Sequence, residues 1–510
     1  MKKKQLILNI GANFISVMVS LIISFFLTPY IIQSIGKEAY AFVPISNNFT
    51  SYMAVLTLAL TSMTGRFVTL KTHKNDINAA NDYYSTSFYS NLVIALFWSL
   101  ICFAVVIFLN RLVNIPPEIF DDVRLLFIFM FIAFIVNLAT TSFSVAAYCM
   151  NRLDVNSIIN IVGSIMRIVV IFVLFSFFRA RVYYIGLSVL AFMLILGSLN
   201  MITSRKIMPT LRISLKRVKM KIVWELLSSG IWNSFIQLSN VLLTGLDLLI
   251  ANWILGPSAA GVLAIAKTAP MALQSLIAVV PSAFSPYLTI LYARDDRNLF
   301  ISELLYTLKF TSIITGIPIA AYIALSSSFF GLWVPSVAGN ELTALSLLTM
   351  ISMIASFCIM PLFHIFTITN RLKWPSAAIF VTGLLNIIIV LTVLKTTNLG
   401  LYAIAGISSF LEIFRCLIFV PRYAAHCIHE PPSMLYRPIV KGLAYMGILI
   451  ATFTGITLIV PATSWLTLLV LGSIMVVAGL LIGVLFMLNS HEKEKLRAMV
   501  MTMANKLRNN

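Results

Sequence analysis

Charge is what this sequence has least of. Asp, Glu, Lys and Arg make up 10% of its 510 residues, against about 25% in a soluble domain whose surface must face water. That scarcity excludes a water-soluble globular protein of this length. Acids are rarer still, with 17 Asp and Glu to 36 Lys and Arg. Five cysteines occur, Cys102, Cys149, Cys358, Cys416 and Cys427. No two have metal-ligand spacing, and most fall in apolar runs, where cysteine behaves as a small hydrophobe. There is no Gly-x-x-x-x-Gly-Lys-Ser/Thr loop to cradle ATP phosphates, and no His-Glu-x-x-His or paired-cysteine cluster for a metal. No polar stretch is long enough for a soluble catalytic domain, and no serine, histidine or acid has a readable nucleophile context.

What is present is apolar. Hydrophobic residues make up 60% of the chain and mean hydropathy is +0.98. Runs of about 20 apolar residues, the length that crosses a 30 Å hydrocarbon core as an α-helix, recur almost end to end. Continuous runs select helices over a barrel, whose strands alternate. The spacing predicts an all-α polytopic membrane protein of about fourteen spans. Spans one and two are expected at 7–33 and 40–70, seven and eight at 223–254 and 258–292, and the tenth at 341–369. The run from Leu6 to Ile32 is too long for a signal-peptide core and has no cleavage site, so it reads as the first membrane helix.

Basic residues fix the expected orientation. They concentrate in alternate loops, above all Arg205, Lys206, Arg212, Lys216, Arg217, Lys219 and Lys221, and in a tail with Lys493, Lys495, Arg497, Lys506 and Arg508. The positive-inside rule puts both, and the N-terminus, in the cytoplasm, which requires an even span count. The same placement argues against nucleic acid as the partner of the +19 net charge.

The chain repeats at about 220 residues. Ile35-Gly36-Lys37-Glu38-Ala39-Tyr40-Ala41 matches Leu255-Gly256-Pro257-Ser258-Ala259-Ala260-Gly261, Asp76 matches Asp296, and Asn151-Arg152-Leu153 matches Asn370-Arg371-Leu372. Two six-helix lobes of like orientation follow, with their pseudo-twofold axis along the membrane normal. The expected division is an N-terminal lobe at 1–203, a basic cytoplasmic linker at 204–222 and a C-terminal lobe at 223–420. Two additional helices at 437–488 and a cytoplasmic tail at 489–510 complete it.

A helix in lipid is apolar all round, whereas one lining a wet cavity carries a polar stripe. The seventh span has Ser229, Asn233, Gln237, Asn240, Thr244 and Asp247, spaced by threes and fours on one face. The first has Asn9, Asn13, Ser16, Ser20, Ser24 and Thr28; the second has Asn47, Asn48, Ser51, Ser62 and Arg66; the eighth has Lys267, Thr268, Gln274, Ser282 and Ser285. Helix–helix packing also uses serine, threonine and asparagine; amides plus a carboxylate favour a cavity for the seventh. Candidate substrate-binding residues are Arg66, Arg167, Lys267, Asn233, Gln237 and Asn240, with Asp247 as coupling group or charge partner. Lys267 with Asp247 reads equally as a structural ion pair. Snorkelling explains Lys309 and Arg415 near helix ends, Glu225 and Glu412 read as interfacial, and His364 reads as packed. Intramembrane cations outnumber acids, which favours an anionic substrate.

Local words carry a family resemblance. Thr28-Pro29-Tyr30-Ile31-Ile32 followed by Ile35-Gly36-Lys37-Glu38-Ala39-Tyr40, Gly65-Arg66-Phe67 with Asn81-Asp82-Tyr83-Tyr84, and the Asn-Arg-Leu loop before the fifth span resemble the Wzx-type branch of the multidrug/oligosaccharidyl-lipid/polysaccharide exporter superfamily. Ala41 stands where that family usually has glycine. The resemblance implies a MATE-like fold and no enzymatic activity. The implied function is a flippase moving undecaprenyl-pyrophosphate-linked oligosaccharide, for O-antigen or another surface polysaccharide, across the bacterial inner membrane. It implies no cofactor, while coupling to H+ or Na+ is not readable. Membrane lipids and the polysaccharide polymerase and chain-length machinery are the implied partners. A teichoic-acid or peptidoglycan-precursor flippase and a multidrug or ion antiporter of the same fold stay open. So does a membrane glycan polymerase, although the outer loops are short for one.

Overall fold

The computed structural model describes residues 3–293, 296–335, 337, 339–369, 371–490 and 492–494. Lys2, Asn370, Lys495, Arg497, Lys506 and Arg508 lie outside the described residues, as do the side chains of Lys3, Lys4, Ser282 and Ser285. Among the described residues the secondary structure is helical throughout. Every backbone donor and acceptor in hydrocarbon must be satisfied inside its own segment, and helices do this without a neighbour.

Among the described residues twelve helices are long and apolar enough to cross a membrane, and a bent pair, Gly339–Ser356 with Met360–Ile368, makes a thirteenth if counted as one span. One of the twelve, Gly11–Thr72, has 62 residues. Straight, it would reach about 90 Å at 1.5 Å per residue, three times what a bilayer needs. It is broken at Gly36, where φ is 83° and ψ is 161°. Counted as two spans it brings the total to the fourteen expected.

The repeated words fold alike. Gly256 has φ 92° and ψ 172°, nearly the backbone of Gly36, and both positions open the next span from a conformation that a side chain would strain. Asp76 caps the helix Ile77–Ile107 by accepting from Ala79 N at 3.0 Å. Asp296 caps Arg297–Trp333 in the same way, from Leu299 N at 3.2 Å. The fourth span of each half also breaks near its end: a 3-10 turn at Thr141–Ser144 follows Phe120–Thr140, and a 55° bend separates Gly339–Ser356 from Met360–Ile368.

The chain forms two compact units. One is residues 1–264 with 379–388, and the other is 265–378 with 389–510. Within the first, the helix Met220–Asn240 packs along the second span so closely that a Cβ on Gly230 would lie 1.8 Å from the Ala59 carbonyl oxygen. Asn9 is 5% exposed and clasps the turn before the fifth span: its amide donates to Asn151 O and Oδ1 at 2.9 and 3.1 Å and accepts from Asp154 N. Packing therefore claims that member of the first-span stripe.

In the second unit the two last spans, Pro432–Ile459 and Trp465–Met487, are built into the core around Arg297–Trp333. Tyr445 donates to Gly479 O at 2.9 Å, and Cβ atoms on Gly479 and Gly483 would meet Ile317 and Ile313 at 2.7 Å. Lys309 binds Glu492 at 2.7 Å, and the Arg415 Nε binds Glu412 at 2.8 Å. Both cations are thus paired, and snorkelling alone does not describe them.

Gly230→Val forces a branched side chain onto backbone that cannot yield. Overpacking of this kind costs about 1–3 kcal/mol or more. The expected result is a clear fall in the melting midpoint of the purified protein, with Gly11→Val, where nothing lies within 4 Å, close to wild type. Equal midpoints for the two variants would contradict the tight crossing.

Candidate functional site

The seventh span is not one regular helix. Met220–Asn240 passes into a π-turn, Val241–Gly245, and resumes as Asp247–Leu255. A π-turn shifts the backbone ladder by one residue, and such turns gather at functional sites. Displaced carbonyls in hydrocarbon need other donors. The Gly245 carbonyl accepts from the Tyr52 hydroxyl at 2.6 Å and from Asn48 Nδ2 at 3.0 Å. The Leu243 carbonyl accepts from Asn386 Nδ2 at 2.8 Å, and Asn386 is 1% exposed. Asp247, 1% exposed, follows at once, where the start of a helix favours a carboxylate.

Below this stitch the polar faces of spans two and seven meet. Asn233 Nδ2 donates to Ser62 Oγ at 3.1 Å. Arg66 lies one turn beyond Ser62 on the same face and is exposed. Gln237 is half-buried and Asn240 is exposed. Nearer the linker, Tyr83 donates to Glu225 at 2.6 Å. One compact unit therefore brings Arg66, Asn233, Gln237, Asn240 and Asp247 onto two adjoining helices.

The remaining candidates lie elsewhere. Arg167 sits on Leu153–Phe177, and its Nε is buried without a hydrogen-bond partner among the described residues. Lys267 is 8% exposed on Pro257–Ile277 and belongs to the second unit, whereas Asp247 belongs to the first. A cavity of about 460 Å³ in the first unit, at the Gly36 end, contains none of the expected residues. Ser34, Glu118, Asp121, Asp122, Arg179 and Arg181 line it. Among the described residues no three His, Cys, Asp or Glu side chains come together as a metal site.

Sequence reading missed Tyr52, Gly245 and Asn386. Tyr52 stands four residues after Asn48 on the polar face, and a glycine two residues before a buried aspartate was a further signal. Nothing local marks Asn386, whose partner is 143 positions away.

A family model described as polysaccharide biosynthesis protein matches residues 48–341. The chain belongs to that family. It is 28% identical over 468 residues to a Bacillus subtilis (strain 168) protein described as the uncharacterized membrane protein EpsK, covering 91% of this chain and 92% of that one. Solved structures with the same fold include the lipid II flippase MurJ in an inward closed conformation. There the TM-score is 0.61 at 15% identity, over 93% of this chain and 98% of MurJ. A MOP-superfamily transporter from Pyrococcus furiosus, described as having a binding pocket of reverse polarity, gives 0.63 at 14%, over 84% and 98%. An inward-facing multidrug-resistance MATE transporter gives 0.62 at 13%, over 83% and 96%. The resemblance read from the sequence is borne out in family and fold: this is a multi-pass membrane protein with the fold of the exporter superfamily.

Exposure on a membrane helix means water or lipid, and labelling separates the two. Asn240→Cys should react quickly with a charged thiol reagent, Ser234→Cys slowly, and Ile231→Cys, on an exposed apolar face, only with a lipid-soluble maleimide. Equal reaction of positions 231 and 240 with the charged reagent would remove the wet face.

Proposed function

We propose that this chain is a flippase, not an enzyme, that moves a polyprenyl-pyrophosphate-linked oligosaccharide across the inner membrane by alternating access. The cargo is an O-antigen or related surface-polysaccharide repeat unit, passed outward to the polymerase and chain-length machinery. The observation that carries the reading is the polar seam between spans two and seven, with amides and Arg66 on helices otherwise apolar enough for lipid, in a chain of the polysaccharide biosynthesis family. Sugar hydroxyls need amide partners and pyrophosphate needs fixed positive charge, while a polyprenyl tail is at home in lipid. Buried Lys267 and Arg167 are the further cations proposed to meet the pyrophosphate, with Asp247 moderating them or coupling transport to an ion. Both termini and the linker are proposed to be cytoplasmic, from the asymmetry of Lys and Arg.

A flippase for a peptidoglycan precursor is the second reading. The fold match to MurJ extends over 93% of this chain, against 83% for the multidrug transporter. The two readings differ in the sugar and share the mechanism.

The test is translocation of defined lipid-linked oligosaccharides, and separately of lipid II, in proteoliposomes. Lys267→Ala should slow translocation about 10- to 100-fold, the worth of one charge-assisted hydrogen bond of 1.5–3 kcal/mol, while Lys267→Arg retains part of the rate. The double variant Lys267→Ala/Asp247→Ala controls for a structural role. If it restores abundance but not translocation, Lys267 meets the cargo. Full translocation by the double variant would remove that role, and absence of translocation for every lipid-linked sugar by wild type would remove the reading.

A further inference from the structure

The segment joining the helix Tyr183–Ile207 to the seventh span has the length and charge of a loose tether, and it is not one. Between Met208 and Lys219 it makes a turn closed by Leu211 N on Met208 O at 3.1 Å, then runs extended apart from a 3-10 turn at Leu215–Arg217. An extended chain with no sheet beside it has unpaired backbone groups. Here a helix supplies the partners. Asn81 on Ile77–Ile107 donates to Thr210 O at 3.1 Å and accepts from Arg212 N at 2.8 Å. Ser85, one turn on, donates to Arg212 O and accepts from Ser214 N at 3.1 Å. Thr86 accepts from Lys219 N at 3.2 Å. Asp82, between them, binds Arg217 and Lys219, and Arg217 also reaches the Asn78 carbonyl at 3.1 Å. Three short polar side chains and one carboxylate thus do for this strap what a neighbouring strand does in a sheet.

Fixing the backbone decides what the other side chains can do. Arg217 and Lys219 are spent on Asp82. Arg212, Lys216 and Lys221 are exposed, with no ion-pair partner among the described residues. Beside them Leu215 is 68%, Met220 70% and Trp224 68% exposed. Large apolar side chains, one of them tryptophan, interleaved with unpaired cations at the end of a membrane helix have the chemistry of the headgroup layer. Asp82 is neutralised by the strap, and Glu225 is half-buried and turned onto the Tyr83 hydroxyl, so exposed cations outnumber acids on this face.

We propose that this strap is a docking surface for anionic phospholipid. Arg212, Lys216 and Lys221 take headgroup phosphates, and Leu215, Met220 and Trp224 enter the adjoining acyl boundary. Because the strap is bonded to the helix Ile77–Ile107 and runs straight into the seventh span, lipid bound there braces the start of the span that carries the polar seam. Each juxtamembrane cation contributes about 1 kcal/mol near an anionic surface, so three give a lipid preference that is measurable.

The full chain in nanodiscs of phosphatidylcholine, with or without phosphatidylglycerol, gives the test. Phosphatidylglycerol should raise the melting midpoint of wild type, and Arg212→Gln/Lys216→Gln/Lys221→Gln should lose at least half of that shift. In phosphatidylcholine alone the triple variant should melt with wild type, since none of its three side chains holds the strap. An equal phosphatidylglycerol shift in both proteins would overturn the assignment, as would a triple variant that already melts early in phosphatidylcholine. Sodium pyrophosphate at matched ionic strength separates a lipid surface from a free phosphate site. It should leave the shift intact, and its abolishing the shift would move the site to a soluble or cargo phosphate.

Discussion

A carbonyl in hydrocarbon has only protein to bond with, and the seventh span breaks its own ladder in the middle. The contacts between the second and seventh spans follow from meeting that need. The donors are Tyr52 and Asn48 on Gly245, and Asn386 on Leu243. They draw the second span and residues 379–388 of the helix Lys373–Thr396 against the seventh. The contact is close enough that Gly230 lies against the Ala59 backbone, where no side chain would fit. The same contact aligns Ser62 with Asn233, and exposed Arg66 stands one turn beyond Ser62 on that face. A polar face thus arises in lipid-competent helices without exposing backbone to lipid.

Much of this was legible in the sequence because membrane helices obey a simple length rule. The fourteen apolar runs match the spans among the described residues once the helix broken at Gly36 is counted as two and the bent pair as one, and Gly36 and Gly256 marked turns because only glycine enters that backbone region cheaply. Asp76 and Asp296 were visible as a repeat, and their shared role as helix caps explains why an acid recurs there. The polar stripe of the seventh span was visible by period alone. What could not be read was which polar residues face water and which bind protein. Asn9 and Asn13 look alike in sequence, yet Asn9 is buried in a clasp with Asn151 and Asn13 is exposed. The π-turn has no local signature, since Val241-Leu242-Leu243-Thr244-Gly245 is an acceptable α-helical run apart from its glycine. The linker strap was equally hidden: its partners, Asn81, Ser85 and Thr86, lie more than a hundred residues upstream.

Charge is divided between structure and function along the same lines. Arg217 and Lys219 hold the strap, Arg152 pairs with Asp154, Lys309 with Glu492 and Arg415 with Glu412. These pairs take four of the chain's 17 acids, Asp82, Asp154, Glu412 and Glu492. The surplus of cations stays with Arg66 on the polar seam, Arg167 among apolar neighbours, and the exposed face of the linker. The proposed pyrophosphate cargo would use such unneutralised positive charge within the membrane, and the proposed lipid contact would use it at the surface.

The dependence of the seam on the broken seventh span is open to direct measurement. Amide hydrogen exchange of segment 241–250 can be followed in full-length protein in nanodiscs, for wild type and for Asn48→Ala/Tyr52→Phe. With the stitch intact these amides should exchange slowly. Its loss should speed exchange there and along Gly230–Asn240, while the helix Trp465–Met487 stays unchanged. Identical exchange across 230–250 in the two proteins would mean that the second span does not hold the turn, and that the polar seam rests on something else.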